Sequence, residues 1–546
     1  MKSSVRKFLS HVWLCFALCL VPELLSAQTY TDLHDFDCSV EGCDPEYPAI
    51  LAQGRDGNLY GTTNGGGTKS MGTVFKMTPA GVVTTLYNFS GLDGQNPNGG
   101  LVLGTDGNFY GTTRFGGTNN LGTVFKITAA GTLTTLYSFS GTDGSEPRPG
   151  LVQGKNGSFY GTTCGFNAPW TAYSITSSGK LKTIISTATN GTFSPVCFAP
   201  LTLGADGNLY GAANSGGPSQ QGMVFRLSPA GVLKSIFAAN GLSNGTNFEG
   251  GVVQGNDGLL YGTAAGGGPG GSGVVYKLSL TGKITLLHSF GLDLINDGFD
   301  PSAGLVAASD GKFYSATQAG QSGSNVPNGN LFSVTSGSTY NMLHAFDGTH
   351  GRLEQATPMQ HTNGKIYGTA VAGGAHDGGV IYSLDTGAPQ FVKLMTRWGS
   401  PGQPVEILGQ GFTNLVGVTF GSAAASFNVV SDTYMTALVP PNGTTGFVTV
   451  TTQSRSLISS QKFFVTPIIT GFTPASGAVG AQVTISGGGF VGTTVVKFGT
   501  VKATAFSVDP SGMSITATVP TGATTGKIAV TTPGGTATSK AVFTVL

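Results

Sequence analysis

Residues able to do acid–base, nucleophilic or metal chemistry are few and scattered. The chain holds 7 His, and charged residues make up 10% of it. His376-Asp377, in the Gly-rich stretch 372–379, is the best acid–base candidate. A carboxylate beside an imidazole can orient it and stabilise its proton; a solvated surface pair is the alternative. Asp293, Asp297 and Asp300 crowd one short stretch and offer oxygen ligands for calcium, although the spacing is not that of an EF-hand loop. Calcium is the single cofactor this leaves open. Arg114, Phe115 and Trp170 combine aromatic rings with a charge, which suits sugar or peptide binding when exposed. Packing of Trp170 onto its own repeat is the alternative. Glu146 and Arg148 read as a surface ion pair. Catalysis on a polymer would need two or more of Glu46, Glu249, Glu354 and His376 to converge.

Several chemistries are missing from the pattern. The chain has no Gly-x-Ser-x-Gly elbow and no His-Glu-x-x-His. The run from Gly266 to Gly271 lacks the Lys-Ser/Thr and the helix of a phosphate-binding loop, so it reads as a plain loop. His34, His288 and His344 share one position of a repeat with Tyr87 and Tyr137, which predicts aromatic packing.

Residues 1–27 read as a secretory signal peptide: Lys2, Arg6 and Lys7, then a largely apolar run from Phe8 to Val21, then Ala27. Loss of Lys2, Arg6, Lys7 and Glu23 takes the formal charge from +1 to −1. A near-neutral chain without basic runs gives no footprint for nucleic acid. No second apolar span follows, so no membrane span is expected after cleavage. Cys38, Cys43, Cys164 and Cys197 then remain, and an exported chain favours disulfides. Cys38–Cys43 would pin a short loop, and Cys164–Cys197 would join two loops on one face.

The elements that must position these residues come from a repeat. Asp106-Gly107-Asn108-Phe109-Tyr110-Gly111-Thr112-Thr113 recurs seven times, centred on Tyr60, Tyr110, Tyr160, Tyr210, Tyr261, Tyr314 and Tyr367. Spacings run from 50 to 53 residues, a period that marks a repeat architecture. A full copy carries four short β patterns: a (Leu-Val-x-Gly), b (Phe/Leu-Tyr-Gly-Thr), c (Val-Phe-Lys) and d (Leu-Tyr-x-Phe). The Asp/Asn-Gly turn between a and b favours a hairpin because Gly accepts positive φ. Gly, at 88 of 546 residues, falls largely in such turns. Four antiparallel strands repeated seven times predict a seven-bladed β-propeller over residues 28–386. The last copy lacks its own d strand, and Asp32-Leu33-His34-Asp35-Phe36 can supply it, closing the ring.

Residues 387–465 and 466–546 form a second repeat family. Gly402 to Phe412 matches Gly480 to Phe490, and Val418-Thr419-Phe420-Gly421 matches Val496-Lys497-Phe498-Gly499. Each copy predicts an immunoglobulin-like β-sandwich. Phe391 to Leu394 then belongs to the first sandwich and not to the propeller.

These C-terminal motifs, with Pro467-Ile468-Ile469-Thr470-Gly471-Phe472-Thr473-Pro474, resemble the IPT/TIG family of immunoglobulin-like domains. The repeats resemble the GloVer-type tandem repeats of exported bacterial proteins, through Gly-Asn-Phe-Tyr-Gly-Thr-Thr, Gly-Gly and Gly-Thr-Val-Phe-Lys within residues 107–126. That resemblance implies a secreted, extracellular or cell-surface protein. It also implies a sorting segment, which Val542 to Val545 does not supply.

The sequence therefore predicts an all-β, exported, non-catalytic binding protein with a glycan or protein ligand, and a monomer is expected. Two alternatives stand: a propeller enzyme acting on an extracellular polymer, and a purely structural surface protein. Short a–b and c–d turns fall on one face and the longer, variable d–a and b–c loops on the other, where a site is expected.

Overall fold

One turn side chain organises each repeat, a carboxylate in five copies and Asn156 or Asn363 in the other two. In the second copy Asp106 Oδ1 accepts the Asn108 N–H at 3.2 Å, while Oδ2 accepts from Asn108 Nδ2 at 2.9 Å and from the Tyr110 hydroxyl at 2.6 Å. Gly107, at φ +83°, lets the chain reverse inside this clamp. Asp56 and Asp206 hold Asn58 and Tyr60, and Asn208 and Tyr210, in the same way. Burial pushes the Asp106 carboxyl up, but the bonds from Tyr110 and Asn108 outweigh it and keep it below its ordinary value.

The strands follow from that turn. A computed structural model describes residues 28–39, 41–45, 51–165, 168–187, 200–320, 325 and 327–546; the expected signal peptide lies outside them. In the second copy Val102–Leu103, Phe109–Thr113, Thr123–Ile127 and Leu133–Ser138 form one antiparallel sheet. Seven such four-stranded sheets occur. The seventh joins Met359–Gln360, Ile366–Ala370 and Val380–Asp385 to the N-terminal strand Thr29–Asp35. Thr29 faces Asp385 and Asp35 faces Val380, so the two ends of the repeat region share one blade. The fold is a seven-bladed β-propeller followed by two immunoglobulin-like sandwiches.

Blades join through the same motif. The Tyr110 ring stacks on Phe159 of the next blade at 3.9 Å, as Tyr60 does on Phe109 at 4.0 Å and Tyr261 on Phe313 at 4.0 Å. Phe139 on strand d meets Tyr173 of the next blade edge-on at 5.3 Å. On the inner strands Gln153, Gln254 and Gln360 accept N–H groups of Thr105, Ala205 and Ser309 in the preceding blades. Gln53 does the same across the closure, bonding Thr362 at 2.8 and 3.1 Å. Near the axis the inner strands approach so closely that a Cβ on Gly150 would lie 2.2 Å from the Gly99 carbonyl oxygen.

In the first sandwich Lys393–Leu394, Pro404–Leu408, Tyr434–Leu438 and Phe427–Ser431 form one sheet. Ala423–Ala425, Leu415–Phe420, Val448–Thr452 and Ser456–Ile458 form the facing sheet. Val405, Ile407, Phe412, Phe420, Val450 and Phe463 fill the space between. Lys393 and Leu394 pair with Leu408 and Ile407, which makes this segment a sandwich strand. The second copy repeats the plan around Val483, Ile485, Phe490, Phe498, Ile528 and Phe543.

Gly150→Ala is expected to destabilise the propeller by about 2 kcal/mol or more, because the methyl group meets backbone that cannot yield. Denaturant midpoints measure this, and a midpoint equal to the parent's contradicts the close approach.

Candidate functional site

The long-loop face gathers polar side chains for a backbone reason. Among the described residues, four d–a loops bend into their inner strand at a residue with left-handed backbone: Asn96 (φ 53°), Glu146 (52°), Asn247 (57°) and Asp300 (56°). Two residues later come Asn98, Arg148, Glu249 and Ser302. The end of strand b adds Asn64, Arg114 and Asn214 from the preceding blade, and Gln318 from the blade of Asp300 itself. Backbone bonds tie the two sets: Arg114 N–H to Asn96 O at 2.9 Å, and Gln318 N–H to Asp300 O at 3.0 Å. Inner strands of successive blades touch each other, so residues at their starts surround one end of the channel.

Among the described residues, three buried atoms of this ring, Asn64 Oδ1, Asn214 Oδ1 and Asp300 Oδ1, have no protein partner. Asn214 Nδ2 donates to Glu249 Oε1 at 3.3 Å. Burial, reinforced by the Asp300 carboxylate, raises the Glu249 carboxyl above its ordinary value. Burial raises Asp300 as well. These groups carried no motif; their signal was position, two residues apart before each Leu-Val strand.

The expected site residues fare differently. Arg114 lies 4.4 Å over the Phe115 ring and its Nε bonds Glu146 Oε2 at 2.9 Å. Glu146 also meets Arg148 Nη2 at 3.1 Å and its side chain is 7% exposed, so this is a buried clamp between blades and not a surface pair. Trp170 is 3% exposed and packs edge-on against Phe225 at 6.2 Å. It is core, because strand c of its blade begins at the next residue. Asp377 bonds the Gly373 N–H at 2.9 Å and the Arg352 guanidinium at 2.9 Å. Those bonds hold its carboxyl below the ordinary range. It thus fixes its own loop and does not orient His376, which is exposed.

The aspartate trio also separates. Asp293 caps Ile295 and Asn296, Asp297 meets His288 Nε2 at 3.1 Å, and Asp300 sits in the channel ring. Among the described residues no group of three His, Cys, Asp or Glu side chains is placed to hold a metal ion. His288 is more than a packing ring: Tyr87 and Tyr137 donate to Asp93 and Asp143 from the same position, and His34 meets Glu41 at 2.6 Å. In these copies the position ties strand d to the loop that follows it, while His344 stacks on Tyr30 at 3.7 Å as aromatic packing predicts. Cys38 and Cys43 are paired, with Cα atoms 4.7 Å apart. Cys164 is buried, while Cys197 and Glu46 lie outside the described residues. Glu354 is fully buried and accepts the Tyr382 hydroxyl at 3.1 Å.

On the opposite face the first sandwich covers the short turns. Arg55 Nη2 bonds Glu406 at 2.7 Å and the Thr433 hydroxyl donates to Arg55 O at 2.7 Å. Asn256 Nδ2 donates to Ser460 O at 3.0 Å, and the Ser309 hydroxyl to Pro389 O at 2.6 Å. Two cavities of about 300 and 570 Å³ remain between the bodies, sharing Leu394 and Gln461. They lie on the face where no site was expected.

The family of the Gloeobacter/Verrucomicrobia repeat matches residues 23–168 and 165–326, more than half of the chain. The chain belongs to the Gloeobacter/Verrucomicrobia repeat family. Two IPT/TIG domains match residues 389–465 and 467–545. No curated protein matches the sequence. Among solved structures, a surface glycan-binding protein B of Bacteroides uniformis from a xyloglucan utilization locus is 20% identical over 28% of this chain and 48% of its own, with a TM-score of 0.16. The chain thus spans less than half the length of that protein. A periplasmic gluconolactonase of Pseudomonas aeruginosa is 18% identical over 55% of this chain and 89% of its own, with a TM-score of 0.34. None of these similarities reaches beyond fold. No helix among the described residues of this repeat-family chain is long and apolar enough to cross a membrane.

Burial holds the Glu354 carboxyl well above its ordinary 4.5, so the folded chain keeps a proton that the unfolded chain releases. Its stability contribution is full below about pH 4.5 and is lost as pH rises toward the folded value. Glu354→Gln is neutral at every pH and is expected to remove that slope. Urea midpoints from about pH 4 to 8 test this, and an unaltered slope rules the assignment out.

Proposed function

We propose that the chain is an exported, non-catalytic binding protein of the cell surface or extracellular space. The propeller, residues 28–386, presents its channel mouth to a hydroxyl-rich glycan, and the protein acts as a monomer. The sandwiches, residues 387–465 and 466–546, serve as spacers or auxiliary modules. The observation that carries this reading is the ring around Asn64, Asn214 and Asp300. It keeps buried polar atoms without protein partners, and such atoms favour a ligand that hydrogen-bonds many times. The acid–base candidates, in contrast, are committed to structure: Asp377 to Arg352 and Glu354 to Tyr382.

One observation favours a second reading. Glu249 and Asp300 are neighbouring carboxyls, both raised by burial, and a coupled carboxyl pair could hydrolyse a glycosidic bond.

A glycan array with the full chain discriminates these readings. Binding is expected, and Asn214→Ala and Asp300→Asn should each weaken it about tenfold. Release of reducing ends that Glu249→Gln abolishes would replace the binding reading with the hydrolytic one. Silence on both assays would leave the structural reading standing.

A further inference from the structure

The crevice between the propeller and the first sandwich is unlike the rest of this chain. The whole protein balances 27 basic against 26 acidic residues. Yet among the described residues neither cavity in the crevice has an Asp or Glu in its wall, while Lys155, Lys393 and Arg397 all line it. Among the described residues none of these three makes an ion pair; the guanidinium of Arg397 donates from Nε to the Lys462 carbonyl oxygen at 3.4 Å. Lys393 is exposed, and its surface lines the half-open cavity, where protein crowds it. Burial accordingly lowers the Lys393 ammonium and the Arg397 guanidinium below their ordinary values.

The crevice also offers a flat ring. Trp398 is half-buried and stacks on Phe464 at 5.8 Å, with the planes 18° apart. Lys155 Nζ lies 5.7 Å and Arg397 Cζ 5.8 Å from the indole centroid. The walls add Gln403 and Gln461, one at the outer cavity and one shared by both. An indole face takes the C–H face of a pyranose, amides take its hydroxyls, and unpaired cations take a carboxylate. An inner chamber of about 300 Å³ suits one sugar ring better than a folded peptide.

We propose that this crevice binds an acidic oligosaccharide, with Lys393 and Arg397 receiving the carboxylate of a uronic-acid residue and Trp398 stacking beneath a neighbouring ring. The site lies on the opposite face from the channel mouth and stands independently of the reading given above for it.

Calorimetry on the full chain tests it with a galacturonic acid trisaccharide as the probe. Its methyl ester, of nearly the same shape without the charge, and a hexaglutamate peptide serve as comparisons. The trisaccharide is expected to bind, with the ester weaker by at least about tenfold. Lys393→Met and the exposed Lys155→Met should each weaken the acid severalfold, and added salt should do the same. Circular dichroism establishes that both variants fold, and Lys155→Met alone suffices if Lys393→Met does not. No binding, equal binding of the ester, equal binding of hexaglutamate, or lysine variants that bind like the parent would each overturn the proposal. Loss of acid binding in Asn214→Ala with retention in both lysine variants would place the ligand at the channel mouth and overturn it as well.

Discussion

The bond from the strand-b tyrosine to the turn aspartate is the interaction on which the rest depends. Tyr110 reaches back four residues to Asp106 with its hydroxyl, while its ring lies flat on Phe159 of the next blade. One side chain therefore closes a hairpin and sets the spacing between two blades. The hydroxyl cannot move without shifting the ring, because both ends are held. Burial and the nearby carboxylate raise the Tyr110 hydroxyl above its ordinary value, so it stays a donor. Repeated at Tyr60 and Tyr261, this coupling helps short strands that would be marginal alone build a stable ring.

Charge placement follows from the same economy. With few ionisable groups, the chain uses most of those it buries as ties between segments: Glu146 between Arg114 and Arg148, Asp297 to His288, Arg55 to Glu406. A buried carboxylate needs such a partner. The groups that stand out are those without one. On one face they are the Oδ1 atoms of Asn64, Asn214 and Asp300 among the described residues; on the other they are cations in the crevice. The two faces thus offer different chemistries, amide and carboxyl at the channel mouth, ammonium and guanidinium with indole at the sandwich boundary.

Much of the architecture was legible because it is local and periodic. The Asp-Gly-Asn turn, the alternation in Thr-Val-Phe-Lys-Ile and the missing seventh d strand together point to seven blades and an N-terminal clasp. The clasp is seen in the pairing of Thr29 with Asp385. Individual site residues were less legible. Trp170 departs from the repeat and reads either as an exposed ring or as one packed on its own blade; the strand beginning at Thr171 draws it into the core, against Phe225 of the next blade. His376-Asp377 reads as a pair, yet the left-handed backbone at Asp377 turns its carboxylate to Gly373 and Arg352. Adjacent residues in a loop share no fixed face, so sequence neighbours need not interact.

By itself the sequence determined the period, the turn chemistry, the blade count and the two sandwich copies, since each rests on residues within one repeat or on matching copies. Only the tertiary structure decided that the first sandwich sits over the short-turn face, joined through Arg55 to Glu406 and Asn256 to Ser460. Those partners stand 351 and 204 residues apart and carry no local pattern. The crevice they frame, and the absence of a carboxylate to neutralise Lys393 within it, arise from how two separately encoded surfaces meet.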